Sequence, residues 1–550
     1  MTLRTVSVKR GLIFWVISAL LMAPAAWPYF THYFVKRDNL LPTGFIHADM
    51  PSYMANAREH FDAGHFRLTF SNPASVSYDS PPIYFQPLIL ILAIVWRVTG
   101  LSPGIVFMLS GIVTALLCAG AALALYREVI GLKRAPENLG LVVFFWGGGL
   151  LALTGAVYKL AGNRGSVFQF DPADGWWFLN FGRNLILPTE ALYHAVFLGC
   201  ILCIVKRSYR AAVILAFAAS VSHPFTGIEL LAILCTWSLV EIYFMQNDEV
   251  PKFFLFACIG LMAGQFAYYF FFLNLFPEHR ALSAEWALPW LLQAEHFIPA
   301  YALVGGLAVA RLRRCKLAGE VLRIPTNRLF LIWFLVAFGL ANHEFAIAPR
   351  QPLHFTRGYC WIALFLLGAP VLVKVFRYVL SGKVGVLGPV ACVLIVALFL
   401  SDNILWFGSF VRREDQGMRL TQDQSQLLDW LNILENRRYV VVSKDPELGH
   451  MVIVYTPLRA WLSHWETPLR RMRQAEVNAF FEHGDILEHW QTLPLLFVFA
   501  KADHNNGQAA WPSREPDFQN RSFAVFRHCG GAASAHHRGQ AFWSLTPCSR

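Results

Sequence analysis

Apolar positions along this chain come in long unbroken runs. Stretches of about 18 to 25 largely uncharged residues recur from Gly11 to Ile404, each long enough to cross roughly 30 Å of hydrocarbon as a helix. The pattern predicts about eleven spans, near 11–30, 104–126, 138–158, 189–205, 211–222, 226–245, 252–275, 297–311, 328–345, 358–376 and 384–404. From Arg412 onward the texture changes: charges, His and Pro are scattered as in a water-facing domain. The expected architecture is a polytopic α-helical membrane domain over 1–404 and a soluble α/β domain over 405–550. The first apolar run lacks a small-residue cleavage site and reads as a retained anchor.

One stretch, PPIYFQPLILILAIVWRVTG from Pro81 to Gly100, is apolar without being counted as a span. If it crossed, the basic loops around Arg127/Lys133/Arg134, Lys206/Arg207/Arg210 and Arg311/Arg313/Arg314/Lys316 would all fall outside. If it lies along the outer leaflet, those loops and Lys374/Arg377/Lys383 all fall inside. The second arrangement obeys the positive-inside rule throughout. Arg4, Lys9 and Arg10 then mark a cytoplasmic amino terminus, with the carboxy-terminal domain on the far side.

Composition supports lipid as the solvent. The chain is 56% hydrophobic and 15% charged, whereas soluble domains carry about 25% charged residues. Its net charge of +11 sits mostly in short cytoplasmic turns, where it orients helices and meets anionic lipid. No basic face is interleaved with stacking aromatics, which argues against nucleic acid as a partner. Eight of the ten cysteines lie in or beside the spans, as small apolar residues. Cys529 and Cys548 belong to the soluble region, either as a disulfide or as two free thiols.

Ionisable groups avoid the middle of the spans, Glu229 being the main exception, and gather at their outer ends. That distribution points to a site at the outer membrane surface, not to a conduction path. The first external loop reads HADMPSYMANAREHFDAGHF. Here Asp49 precedes a helical pattern that puts Tyr53, Ala57 and Phe61 on one face and stops at Gly64. Asp49 is either the helix N-cap or a carboxylate that accepts a proton from a substrate hydroxyl or binds a divalent cation. His47 is a candidate partner for a metal at Asp49.

The second external loop, FDPADGWWFLNFGRNLILPTEALYH, offers Asp171, Asp174, Glu190 and the cation Arg183. DPADG is also good turn chemistry. The tract APRQPLHFTRGY places Arg350, His354 and Arg357 outside, where guanidinium forks match phosphate oxygens or anchor to lipid headgroups. His223, before Pro224, reads as a turn or cap residue, or as part of the site.

An Asp soon after the first span, a Tyr four residues on, a helix ending in Gly and then SPPIYFQPL resemble the first external loop of the GT-C superfamily. These membrane glycosyltransferases use polyprenyl-phosphate-linked sugars, and include the protein O-mannosyltransferase and aminoarabinose transferase families. The likeness covers residues 1–230 in order and spacing, and the spans to 404 more loosely. It implies that Asp49 is a catalytic base or metal ligand, with Tyr53, Arg183, His223, Arg350, His354 and Arg357 at the substrate. Asp171, Asp174 or Glu190 would supply the second acidic group, and Mg or Mn is a candidate cofactor held by His47 and Asp49. Many members carry Asp-Glu in the first loop; here the pair is Asp49-Met50. The implied partners are membrane lipid, a polyprenyl-phosphate sugar donor and a glycan, lipid or protein acceptor, in a bacterial inner membrane. Two other readings stay open: a flippase or transporter for lipid-linked glycans, and a non-catalytic scaffold with an external sensory domain.

In the carboxy-terminal region LLDWLNIL and RRMRQAEVNAFFEHG predict helices, the second ending at Gly484. RRYVVVS, PLLFVFA, SFAVFRH and AFWSLTP predict strands. Between them YTPLRAWLSHWETP is aromatic and His-bearing, and reads either as ordinary packing or as a segment that touches acceptor or membrane.

Overall fold

Every expected span falls on a helix, or at 138–158 on a broken pair of helices, in the computed structural model of the chain, which describes residues 2–64, 66–286, 288–314, 318–410, 418–484, 486–505 and 514–530. Among the described residues seven helices are long and apolar enough to cross a membrane: Arg10–Phe34, Pro103–Val129, Pro188–Val205, Pro224–Phe244, Lys252–Leu275, Pro352–Val379 and Leu387–Phe410. Ala135–Trp146 and Leu151–Leu160 make an eighth if the pair, bent by 70°, is one span. Tyr209–Ser222 and Pro325–Leu340 are shorter apolar helices, and Ala294–Arg314 contains Pro299 and ends in arginines. The protein is a multi-pass helical membrane protein. Its chain divides into two compact units.

The first unit comprises Met1–Thr31, Ser110–Phe272 and Trp286–Glu414. At its centre runs the helix within Pro352–Val379, whose most apolar window is 83% buried. The bend in the Ala135–Leu160 pair has a local cause. Gly147, Gly148 and Gly149 interrupt the helix, and a Cβ on Gly149 would meet backbone oxygens at 2.4 Å. The second half restarts with its N–H groups turned to a side chain: Leu151 and Ala152 donate to the Asp402 carboxylate at 3.3 and 2.9 Å. Asp402 thus satisfies donors that a helix start leaves without intrahelical partners.

The second unit comprises His32–Leu109, Leu273–Glu285 and Asp415–Arg550, so the first external loop and the carboxy-terminal region fold together. Among the described residues a five-stranded mixed sheet forms its core. Val440–Ser443 lies parallel to both Arg459–Ala460 and Leu495–Ala500; Phe523–His528 pairs antiparallel with Leu495–Ala500, and Phe518–Gln519 closes that edge. The strand period of two sorts the side chains. Val440, Val442, Phe497, Phe499 and Phe526 pack with Phe480, Phe481 and Trp490 on one face. Val441, Leu496, Val498 and Val525 pack with Leu427, Leu448 and Val452 on the other. Helix Gln422–Asn432 opens with a reciprocal capping box between Thr421 and Gln424, and helix Arg470–His483 stops at Gly484 with φ 79°. AFWSLTP and Cys548 lie outside the described residues, and with them the expected fourth strand segment and the disulfide.

The first loop is stitched into this unit. Leu40–Pro42 pairs antiparallel with Arg419–Thr421. Tyr78 donates its hydroxyl to the Tyr439 carbonyl at 2.8 Å, and Arg459 donates to the Asn72 carbonyl at 3.0 Å. Helix Met50–Ala63 ends at Gly64 in the left-handed region, φ 69°. Its expected face is packed, with Ala57 buried and the two aromatics half-buried: Tyr53 stacks on Phe107 at 5.7 Å and Phe61 on Trp96 at 4.2 Å. Trp96 sits on Pro87–Thr99, a helix of 13 residues. At 1.5 Å per residue that is roughly 20 Å, which puts it with Tyr209–Ser222 and Pro325–Leu340 among the shorter apolar helices.

Candidate active site

In the second unit, Asp49 occupies the N-cap position of helix Met50–Ala63, yet its carboxylate makes no capping bond there. The carboxylate turns instead to two imidazoles. His464 Nε2 lies 3.1 Å from Oδ1 and His47 Nδ1 3.4 Å from Oδ2. His47 Nδ1 also accepts the Asp49 backbone N–H at 3.2 Å. The Asp49 side chain is 52% exposed while that of His464 is 10% exposed, so a buried base holds a carboxylate that reaches solvent. Behind His464 the polar chain continues: its Nδ1 lies 3.0 Å from Ser52 Oγ, and that oxygen lies 3.2 Å from His450 Nε2. The two imidazole rings are 4.6 Å apart. Burial, reinforced by the neighbouring His464, holds His450 well below the usual histidine range, so it stays neutral.

Asp49, His464 and Ser52 follow the order of an acid–base–nucleophile triad, but Ser52 is only 5% exposed. Its hydroxyl is a link between histidines and not a nucleophile presented to substrate.

The first unit holds the remaining sequence candidates in two ion pairs and an aromatic cluster. Asp171 and Arg183 form a pair at 2.5 Å with both side chains buried. Arg183 further donates to Asn403 Oδ1 at 2.8 Å and the Asp402 carbonyl at 3.1 Å. Glu190 and Arg357 form the second pair, also largely buried, with the guanidinium 4.8 Å from the Trp177 ring. His194 lies between the Glu190 and Arg357 carbonyls at 2.8 Å from each. His223 is the N-cap of helix Pro224–Leu239, accepting from the Thr226 N–H at 3.3 Å, and stacks on Tyr193. His354 stacks on Phe225 at 4.4 Å. Asp174 is exposed in a turn with φ 52°. Arg350 is exposed, its backbone N–H bound to His343 Nε2.

The structure therefore joins His47 to Asp49, Asp171 to Arg183 and Glu190 to Arg357. It also adds His464, Ser52 and His450, which no sequence motif marked. The one signal was the His-bearing segment YTPLRAWLSHWETP, of which His464 is part.

With this geometry in place, solved structures of similar shape can be compared. The oligosaccharyltransferase of Archaeoglobus fulgidus, in its apo form, superposes with a TM-score of 0.55 at 11% identity, over 90% of this chain and 70% of that one. The chain has the GT-C fold. The same oligosaccharyltransferase in complex with Zn and sulfate gives a TM-score of 0.52 at 11% identity, over 89% and 68% of the two chains. ArnT from Cupriavidus metallidurans gives 0.49 at 12% identity, over 95% and 98%. No protein-family model matches the sequence, and no curated protein matches it.

A GT-C fold raises the question of a metal at Asp49. Among the described residues no three His, Cys, Asp or Glu side chains gather to hold an ion. The donors near Asp49 are committed to one another: His47 Nδ1 to a backbone N–H, His464 Nε2 to Oδ1 and His464 Nδ1 to Ser52. With Met50 in place of a second acid, this donor set does not by itself make a site for Mg or Mn.

Proposed function

We propose that the chain is a membrane glycosyltransferase that moves a sugar from a polyprenyl-phosphate donor to an acceptor hydroxyl at the outer membrane surface. The observation that carries the reading is Asp49. In a chain of GT-C fold, the carboxylate at the start of the first-loop helix is half exposed and held by the His464 imidazole, when capping its own helix would have been the ordinary use. In the proposed step the acceptor O–H proton passes to Asp49 while the acceptor oxygen bonds to the anomeric carbon. The bond from that carbon to the phosphate oxygen breaks, and the lipid phosphate leaves with the electron pair. The exposed guanidinium of Arg350 is the proposed phosphate ligand. The charge asymmetry of the loops supports a plasma-membrane protein with a cytoplasmic amino terminus and the 405–550 region on the outer side, and bacterial membranes carry such donors.

The test is sugar transfer from a panel of radiolabelled polyprenyl-phosphate sugars in membranes holding wild type or Asp49→Asn at equal amounts. Loss of a general base lowers the rate by about 10² to 10⁴-fold, so the variant should be nearly silent on a donor the wild type uses. Full transfer by Asp49→Asn would remove Asp49 from the chemistry. Absence of transfer by wild type from every donor, with lipid, glycan and peptide acceptors supplied, would count against the enzyme.

A further inference from the structure

We infer that His464 is the positioning residue of Asp49, and that Ser52 and His450 fix which of its nitrogens carries the proton. The inference rests on the reading of Asp49 as the base, and it is argued from hydrogen-bond bookkeeping along one continuous line of four side chains. His464 Nε2 faces a carboxylate oxygen at 3.1 Å, and an ionised carboxylate only accepts; Nε2 therefore carries a proton. In neutral His464 the other nitrogen, Nδ1, is then an acceptor, and the group 3.0 Å from it is Ser52 Oγ. Ser52 must donate its one proton there. Its oxygen is left to accept from His450 Nε2 at 3.2 Å, which sets the His450 tautomer as well. His450, Ser52 and His464 each have one proton to give and one partner to give it to, and Asp49 accepts the last. The line runs His450 to Ser52 to His464 to Asp49 without a conflict.

What this line supplies is orientation. Asp49 is the most exposed member, and a carboxylate at a helix start has several staggered rotamers open to it. An N–H on Oδ1, from an imidazole itself pinned by a buried hydroxyl, selects one of them. Ser52 is 5% and His450 3% exposed, so the anchoring end of the line lies in packed protein where rotamers are locked. His450 is carried by helix Pro446–Tyr455 and Ser52 by helix Met50–Ala63, so two helices must be in register for the line to close. A displacement of about 1 Å at a reacting group can cost about 10²-fold in rate. That is the scale expected from losing His464.

Two readouts test this on the full chain. Transfer kinetics on a donor that wild type uses should show kcat lowered about 10²-fold in His464→Ala with KM unchanged. Added imidazole should restore part of the loss, and His464→Gln, which keeps an N–H, should retain more activity than His464→Ala. The second readout needs no activity: in the ¹⁵N-histidine spectrum of the detergent-solubilised protein, Asp49→Asn and Ser52→Ala should each move the His464 ring resonances, on opposite nitrogens. Unmoved His464 resonances in Asp49→Asn would overturn the inference whatever the kinetics. Moved resonances with wild-type kcat in His464→Ala would overturn it too. Moved resonances in a protein that transfers no sugar would instead overturn the reading of Asp49 as the base.

Discussion

Arg183 and Asp171 lie 2.5 Å apart with 0% and 1% of their side chains exposed, and Arg183 meets Asn403 and the Asp402 carbonyl besides. Its guanidinium is fully engaged by protein. Removing one partner of such a pair leaves an uncompensated buried charge, at a cost of about 3 to 5 kcal/mol. Arg183→Ala should therefore lower the yield and thermal midpoint of the solubilised protein severely. An Asp171→Asn, Arg183→Met double variant should recover much of it. A catalytic role for Asp171 would show the other pattern: normal unfolding with transfer abolished.

Arg357 and Arg350 neighbour each other in sequence but should answer differently. Arg357 is tied to the buried Glu190, whereas Arg350 is exposed. Arg357→Ala should destabilise by a few kcal/mol, read as a fall in the thermal midpoint. Arg350→Ala should leave unfolding unchanged and raise the KM for the lipid donor by about 10-fold, the loss of one hydrogen bond to a charged group. Equal KM for wild type and Arg350→Ala would remove that cation from donor binding.

Gly449 precedes His450 in helix Pro446–Tyr455, and a Cβ there would fall 2.0 Å from the Leu462 carbonyl oxygen. Gly449→Ala must push the helix off the segment that carries His464. We expect a destabilisation of about 1 to 3 kcal/mol together with shifted His450 and His464 resonances. Unchanged spectra and stability would mean that this close approach does not exist.

His450 is held well below its usual range, by burial first and by His464 second, with Asp49 acting in the opposite sense. Above about pH 6.5 it is neutral both folded and unfolded, and its contribution is intact. As pH falls below that value the unfolded chain takes up a proton the folded chain refuses, so stability is lost. Burial of Glu466 raises its carboxyl, which opposes the trend at lower pH. Thermal unfolding from about pH 7.5 to about pH 5 should therefore fall more steeply for wild type than for His450→Gln. Parallel slopes would show that His450 takes up its proton without cost.

The helices and the α/β character of the last region were legible because each is written locally, in apolar runs and in period-two strands such as Leu495–Ala500. Pro87–Thr99 was readable as a helix from its apolar run closed by Gly100. The start and stop of the first-loop helix were readable too, from Asp49 and Gly64. What stood next to Asp49 was not. His464 is 415 positions away, and a lone His among aromatics carries no mark of its future neighbour. Asp171 and Arg183 were both singled out by type, but nothing in the sequence said that each would be consumed by the other. The same holds for Glu190 and Arg357, which are 167 positions apart.

The strand pairing of Leu40–Pro42 with Arg419–Thr421 has a consequence for biosynthesis. A ribosome releases the first loop long before it reaches the sequence that completes its sheet, and every helix between them must be inserted in the interval. Closing so long a loop is entropically costly and slow. Asp49 thus waits, without His464, until the sequence beyond residue 419 has been made and folded. A polypeptide that stalls or is truncated after its last span would carry Asp49 but neither His464 nor His450, so assembly itself orders when this protein can begin to work.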